Sequence, residues 1–350
     1  MLFTYWLALL PFIFFGNTFE GAKVIYFFIG SIFLIFFWIL NYKMLINSLN
    51  FPDFLFFIFL IILLISSLIG IHPILSIIGT SYRHQGVIFF FCLWIIGKTF
   101  SLLDKAHKLK IVKLFKYALI AESILIILFP IGTFGEVNAS AGFIGIVSIF
   151  TNSIPILGIV FIAILRTGSR TGILVFVTVL IIKFYKKYKL VSFGLIAASI
   201  VYFLISLTLK SSSVFEDRIT IWNFGIQAIK ERPILGFGAE SGESIYNNIF
   251  AKNNLPLFNL VIDRAHNVFL DILQWSGILG LTAFLAWILS KRNILLIPWF
   301  VFAFFQPLGV THWMLLMILI YFPKETLTGN NFHLDLRKLR STFHSYHKEL

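Results

Sequence analysis

Apolar runs close to the length of a membrane crossing return from one end of this 350-residue chain to the other, each ended by a short polar or basic stretch. A bilayer core about 30 Å thick takes about 20 apolar residues per helix, and a backbone inside it must satisfy its own hydrogen bonds. Only a helix bundle or a closed barrel meets that demand, and barrel strands would alternate polar with apolar residues. The runs here are continuous, so the chain is expected to be an all-α polytopic transmembrane bundle. The composition agrees, with 59% hydrophobic, 18% aromatic and 12% charged residues. The first run, residues 2–15, has no basic leader and no small-residue cleavage site, so it is expected to be a retained first helix.

A formal charge of +13 raises the question of nucleic acid. That binding mode needs basic residues gathered on one solvated face, whereas these lysines punctuate apolar runs. Lys105, Lys108, Lys110, Lys113 and Lys116 form one cluster, Lys183, Lys186, Lys187 and Lys189 a second, and Lys291 with Arg292 a third. Short basic loops stay on the cytoplasmic side. With the clusters inside, about 10–12 spans are expected, read as 2–15, 24–40, 54–70, 86–103, 114–130, 171–188, 190–209, 266–289, 293–309 and 311–322. The stretch 1–323 forms one membrane domain, and 324–350 a basic cytoplasmic tail on the anionic inner leaflet. The large loop, about 210–265, falls outside the cell and carries six Lys/Arg against six Asp/Glu, so it does not pull on the topology. The single cysteine, Cys92, lies in an apolar run, which excludes disulfides and zinc-finger spacing.

One segment breaks the count. A single crossing by 141–165 would put the lysines at 183–189 outside. Thr151-Asn152-Ser153 followed by Pro155 interrupts that run near its middle, as a turn between two short helices requires. A broken re-entrant hairpin is therefore expected.

Candidate chemistry gathers in and beside the large loop. Ser169 before Arg170 can cap a helix whose free amides suit a phosphate oxygen, with the arginine fork added; the plainer reading is a snorkelling arginine beside an ordinary cap. From Asp217, taken as N-cap, an amphipathic helix with Ile219, Trp222, Ile226 and Ile229 on one side would lie on the membrane and hold Arg218 at headgroup depth; it could equally cap the bundle. His266 opens a helix, where the positive dipole end favours the neutral ring of a general base; a hydrogen-bonded structural histidine is the alternative. Asp271 is five residues on and faces away from His266. Glu122 lies within an apolar span, which keeps a transport role open beside a neutral acid bonding a neighbouring helix. No carboxylate or histidine pair stands at metal-ligand spacing, so no metal and no cofactor are expected.

Together, Ser169-Arg170, Arg218-x-x-x-Trp222, Pro233-x-x-Gly236-x-Gly238 and Ala265-His266-Asn267 ahead of Gly277 and Gly280 resemble the bacterial O-antigen ligase and polymerase superfamily. Ser67 to Gly86, with Gly79 and Arg83, and the turn Asn138 to Gly142 are similar to its earlier landmarks; the interval from Asn138 to Arg170 is short for that family. The resemblance implies a GT-C type membrane glycosyltransferase of the cell envelope, seated in the bacterial plasma membrane with its site outside. Its donor would be a glycan on undecaprenyl diphosphate, and its acceptor a lipid, as in lipopolysaccharide, or a saccharide. By the same resemblance Arg170 and Arg218 hold the diphosphate and His266 activates the acceptor hydroxyl. Arg83, Arg264, Trp222 and Asn267 are the candidate substrate-binding residues. A polymerase is the alternative within the superfamily, and a lipid-linked saccharide transporter or a non-catalytic assembly partner the alternative outside it.

Overall fold

The computed structural model describes residues 2–15, 19–81, 83–185, 213–253, 262–291 and 293–322, with the single residues 189, 194, 197 and 201. Among these the chain is helical and has no strands. In order the helices are α1 Leu2–Leu9, α2 Phe19–Leu40, α3 Tyr42–Asn47, α4 Phe51–Leu68, α5 Pro73–Ile78, α6 Val87–Leu102, α7 Lys105–Leu128, α8 Val137–Val147, α9 Ile154–Thr167, α10 Arg170–Phe184, α11 Ser213–Glu231, α12 Gly242–Lys252, α13 Val268–Leu289, α14 Ile297–Phe305 and α15 Val310–Tyr321. Helices α2, α4 and α13 are each long and apolar enough to cross a membrane, and shorter apolar helices surround them. The chain is a polytopic helical bundle, as its apolar runs require.

Burial sorts these helices by depth. Every residue of α15 is buried, as befits a helix apolar on all sides at the centre of a bundle; it packs on α6, while α13 packs on α4 and α10 on both α8 and α14. Helix α2 instead leaves Ile25, Ile32, Phe33 and Phe36 exposed, the outward face a lipid-facing helix presents.

The two ends of the bundle differ in chemistry. At one end Asp53 and Lys98, both fully buried, pair at 2.6 Å, and Asp53 also accepts from Trp94 Nε1 at 3.0 Å and Tyr321 Oη at 3.3 Å. One carboxylate thus fastens α4, α6 and α15 together. Arg83, Arg170, Arg218 and His266 lie at the other.

The broken hairpin is present. Helix α8 runs for 11 residues, a 3-10 turn covers Ser148–Phe150, and α9 starts again at Ile154 for 14 residues. At 1.5 Å per residue the two helices are about 16 and about 21 Å long, short of the roughly 30 Å core. Ser169 Oγ donates to Asn138 Oδ1 at 2.7 Å across the mouth of the hairpin. Lys183 Nζ donates to Ile149 O at 2.8 Å and Asn152 Oδ1 at 3.0 Å at its turn. The two limbs run alongside α10, with the mouth level with Arg170 and the turn level with Lys183.

Several local expectations are corrected. Residues 138–142 are not a turn but the first turns of α8, because Glu136 caps it, accepting from Asn138 N at 3.1 Å and Ala139 N at 2.8 Å. The lysines from 105 to 116 ride on α7 rather than a loop, since Asp104 accepts from His107 N at 2.8 Å and starts that helix early. Helix α11 begins at Ser213, ahead of Asp217, for want of a breaker before it. Helices α5 and α12 went unforeseen in the connections between spans. The expected span 190–209 and tail 324–350 lie outside the described residues, apart from residues 194, 197 and 201.

Candidate functional site

The site is built on a helix that is deliberately interrupted. Gly277, inside α13, has φ +62 and ψ −168, a conformation open to glycine and closed to residues with a Cβ. The break separates the amides of Ile278 and Leu279 from their i−4 partners, the carbonyls of Gln274 and Trp275. The segment Pro233 to Gly238 takes up all four groups: Phe237 N donates to Gln274 O at 2.8 Å and Gly238 N to Trp275 O at 2.9 Å, while Ile278 N donates to Pro233 O at 2.8 Å and Leu279 N to Ile234 O at 3.4 Å. Two intrahelical bonds are exchanged for four to the inserted strap, so none of these four groups is orphaned. Gly236 is required because a Cβ there would meet the backbone of Gln274 and Trp275. The glycine spacing read from the sequence is thus explained by backbone packing.

Glu240, at the end of the strap, gathers the next layer. Its carboxylate accepts from Thr80 N, from Gln85 N at 3.0 Å and from Arg264 Nη2 at 2.7 Å, which fastens the loop bearing Arg83 to the loop bearing His266. Arg264 also reaches Gln85 Oε1 at 3.3 Å and stacks 4.2 Å over the Trp275 ring. It is only 4% exposed. Arg264 was expected to bind substrate; the structure turns it into the core, where its charge is already matched.

The neighbouring residues follow the same pattern. Arg83 grips Asp263 at two points, through Nε to Oδ2 and through Nη2 to Oδ1 at 3.2 Å. Asn267, another expected substrate ligand, spends its side chain capping α13, accepting from Phe269 N at 3.0 Å and Leu270 N at 3.2 Å. Trp222 donates from Nε1 to Ala265 O at 2.8 Å and packs edge-on against Phe304; it anchors α11. That helix buries Gly225 and Ala228 and leaves Ile219 and Ile226 exposed, so the isoleucine stripe faces outward and the small residues face the bundle.

Arg170 opens α10 behind the cap Ser169, whose Oγ accepts from Gly172 N at 3.0 Å. Arg218 lies near it on α11. Burial lowers the proton affinity of Arg218, the Glu136 carboxylate opposes that, and the cation of Arg170 adds to it; a guanidinium so placed remains charged. For His266, burial first and then the cations of Arg218 and Arg83, against the opposing Asp263, push the pKa down to about 4. The imidazole is therefore neutral at pH 7. Asp263 resists its own burial through Arg83, and its pKa falls below the usual carboxylate value. Arg83, Arg170, Arg218 and His266 thus share one electrostatic neighbourhood with Glu136 and Asp263. Arg83 is paired with Asp263, and Arg170 and Arg218 stand against Glu136, an excess of guanidinium charge at this point.

The imidazole itself is set apart. His266 has φ +55, and its Nδ1 is buried with no hydrogen-bond partner among the described residues. Asp271, as its helical offset requires, does not reach the ring and accepts from Ala265 N at 2.7 Å instead. Glu136 and Asp263 were missed as members of the site. Asp263 had only its place before Arg264 to hint at it, and Glu136 only its place two residues before Asn138.

Fold and site together define a multi-pass helical membrane protein with a cationic cluster at one end of its bundle. Within it residues 155–285 match the family model described as O-antigen ligase. That match supports the O-antigen ligase and polymerase superfamily to which the motifs bear a resemblance, and it takes in Arg170, Arg218 and His266. No curated protein matches the chain.

Proposed function

We propose that this protein transfers a glycan from undecaprenyl diphosphate to an acceptor hydroxyl on the extracytoplasmic face of the plasma membrane, in the manner of an O-antigen ligase. The observation that carries this reading is a neutral, half-buried histidine beside Arg218 and Arg83, with Arg170 next to Arg218. Such a set can do both halves of a glycosyl transfer. His266 takes the proton of the acceptor hydroxyl as its oxygen attacks the anomeric carbon. The bond from that carbon to the phosphate oxygen breaks, and the diphosphate leaves with the electron pair. Arg170 and Arg218, with Arg83 beside them, stabilise the charge that develops there. Attack in line with departure inverts the anomeric centre. Arginines carry the charge in this scheme, so it is independent of a metal.

A polymerase would use the same donor end and differ in its acceptor, a second lipid-linked saccharide. Glycan transfer in membranes supplied with an undecaprenyl-diphosphate oligosaccharide tests the reading, with His266→Ala, Arg218→Ala and Arg170→Ala compared at matched expression. Loss of about 100-fold or more in each is expected, the range for removing a catalytic base or a charge stabiliser. Product mass identifies the acceptor. Full activity in all three variants would end the proposal.

A further inference from the structure

We infer that Trp222 and Asp271 are positioning residues that hold His266 in place through the peptide groups of Ala265. The inference rests on the reading of His266 as the base and goes beyond it by assigning what orients that base. A general base is usually oriented by a hydrogen bond to its second nitrogen, and here that nitrogen, Nδ1, is buried without a partner among the described residues. The orientation has to come from the backbone.

The backbone on the N-terminal side of His266 is held from two directions. Ala265 is wholly buried; its N–H donates to Asp271 Oδ1 at 2.7 Å, and its C=O accepts from Trp222 Nε1 at 2.8 Å. On the C-terminal side, Asn267 is fixed as the cap of α13. Between these supports His266 occupies the left-handed region at φ +55, which is unfavourable for a residue with a Cβ and persists only where the surroundings impose it. Asp271 and Trp222 are those surroundings. Asp271 belongs to the first turn of α13, so its bond ties the strained loop back onto the helix the loop opens.

Trp222 supplies a second constraint. Arg218 and Trp222 stand four residues apart on α11 and share a face of it. The bond from Trp222 to Ala265 therefore sets the register of the Arg218 turn against His266, the spacing between diphosphate and base. Loosening either bond should leave donor binding nearly intact and misplace the proton acceptor. A displacement near 1 Å costs about 100-fold in rate.

Two measurements test this on the full-length protein in detergent and in membranes. The first is the rate at which diethyl pyrocarbonate modifies His266, followed by peptide mass, in wild type, Trp222→Phe, Asp271→Leu and Asp271→Asn. It needs no assumption about activity. Trp222→Phe and Asp271→Leu should change the rate several-fold, while Asp271→Asn, whose amide oxygen still accepts the Ala265 N–H, should stay near wild type. The second is transfer kinetics with His266→Ala as reference. Trp222→Phe and Asp271→Leu should lower kcat about 10- to 100-fold with the donor KM within about threefold, and Asp271→Asn should recover most of it. Unchanged modification rates overturn the inference, as does an Asp271→Asn variant as impaired as Asp271→Leu, which would make the charge rather than the hydrogen bond the active feature. If His266→Ala is inactive while Trp222→Phe and Asp271→Leu keep wild-type kcat, the positioning role fails and the proposed function stands. If His266→Ala is fully active, the proposed function fails, and the modification rates alone decide how His266 is held.

Discussion

Arg83 and Asp263 meet across 180 residues of sequence in a two-point ion pair, with 15% and 27% of their side chains exposed. Neither side chain is free to turn without breaking both contacts. Arg83→Ala leaves the Asp263 carboxylate without its guanidinium and is expected to destabilise the protein by about 1–3 kcal/mol. Adding Asp263→Asn should restore part of that, because no carboxylate is then left without a counter-charge. Thermal unfolding in detergent of the two single variants and the double variant gives the coupling; strictly additive losses would contradict it.

The acid limb of activity should lie low. With the His266 pKa near 4, kcat/KM, which reports the free enzyme, is expected to hold from neutral pH down to about 4 and then fall. A limb near 6.5, the ordinary histidine value, would mean that the ring is not buried among cations as described. The stability linkage has the same direction. Because the folded pKa lies below the unfolded one, the histidine's contribution is complete above about pH 6.5 and is lost as pH falls towards 4.

Glu122 separates transfer from transport. It is wholly buried and accepts from Thr133 N at 2.9 Å and from Thr133 Oγ1 at 2.8 Å, which fits an acid fastening the turn at Gly132–Phe134. Glu122→Gln should retain glycan transfer within a few-fold, since an amide oxygen still accepts from Thr133. Glu122→Ala should cost about 1–3 kcal/mol in stability. Abolished donor movement across the bilayer in the stably folded Glu122→Gln variant would favour the transport role instead.

Gly277→Ala should cost more than any other single methyl added to this bundle, for the new Cβ would meet the Ile234 carbonyl and φ is +62. Strain of about 1–2 kcal/mol adds to the clash. Gly158→Ala is the control: nothing lies within 4 Å of its new Cβ, and the site is in a helix interior. It should be neutral or stabilising by up to about 1 kcal/mol. Yield and melting temperature of the two variants, side by side, decide the matter.

Much of this was legible in the sequence because membranes simplify the code. Continuous apolar runs forced helices, and Thr151-Asn152-Ser153 followed by Pro155, midway along a run whose halves are each too short to span, marked the hairpin. Arg170, Arg218 and His266 stood out because charge is scarce here. What the sequence hid was which polar residues face one another. Arg264 and Arg83 both lie in loops, yet one is sealed over Trp275 and the other grips Asp263; only the three-dimensional course of the strap at Glu240 decides that. Helices α5 and α12 are short and lean on tertiary packing, so no long period announced them.

The strap inserted at Gly277 ties the order of assembly to the site. With Gly277 bent, the carbonyls of Gln274 and Trp275 and the amides of Ile278 and Leu279 have no partners other than residues 233–238, and in hydrocarbon unpaired groups cost several kcal/mol. The bent helix and the docked loop therefore stabilise each other. A newly inserted chain can close that gap as an ordinary helix only by straightening Gly277, which would displace the strap and, with it, the Glu240 clamp that brings the Arg83 and His266 loops together. Bending of the crossing helix at Gly277, docking of the strap and closure of the Glu240 clamp are thus coupled, so a molecule whose helix is straight there lacks the clamp.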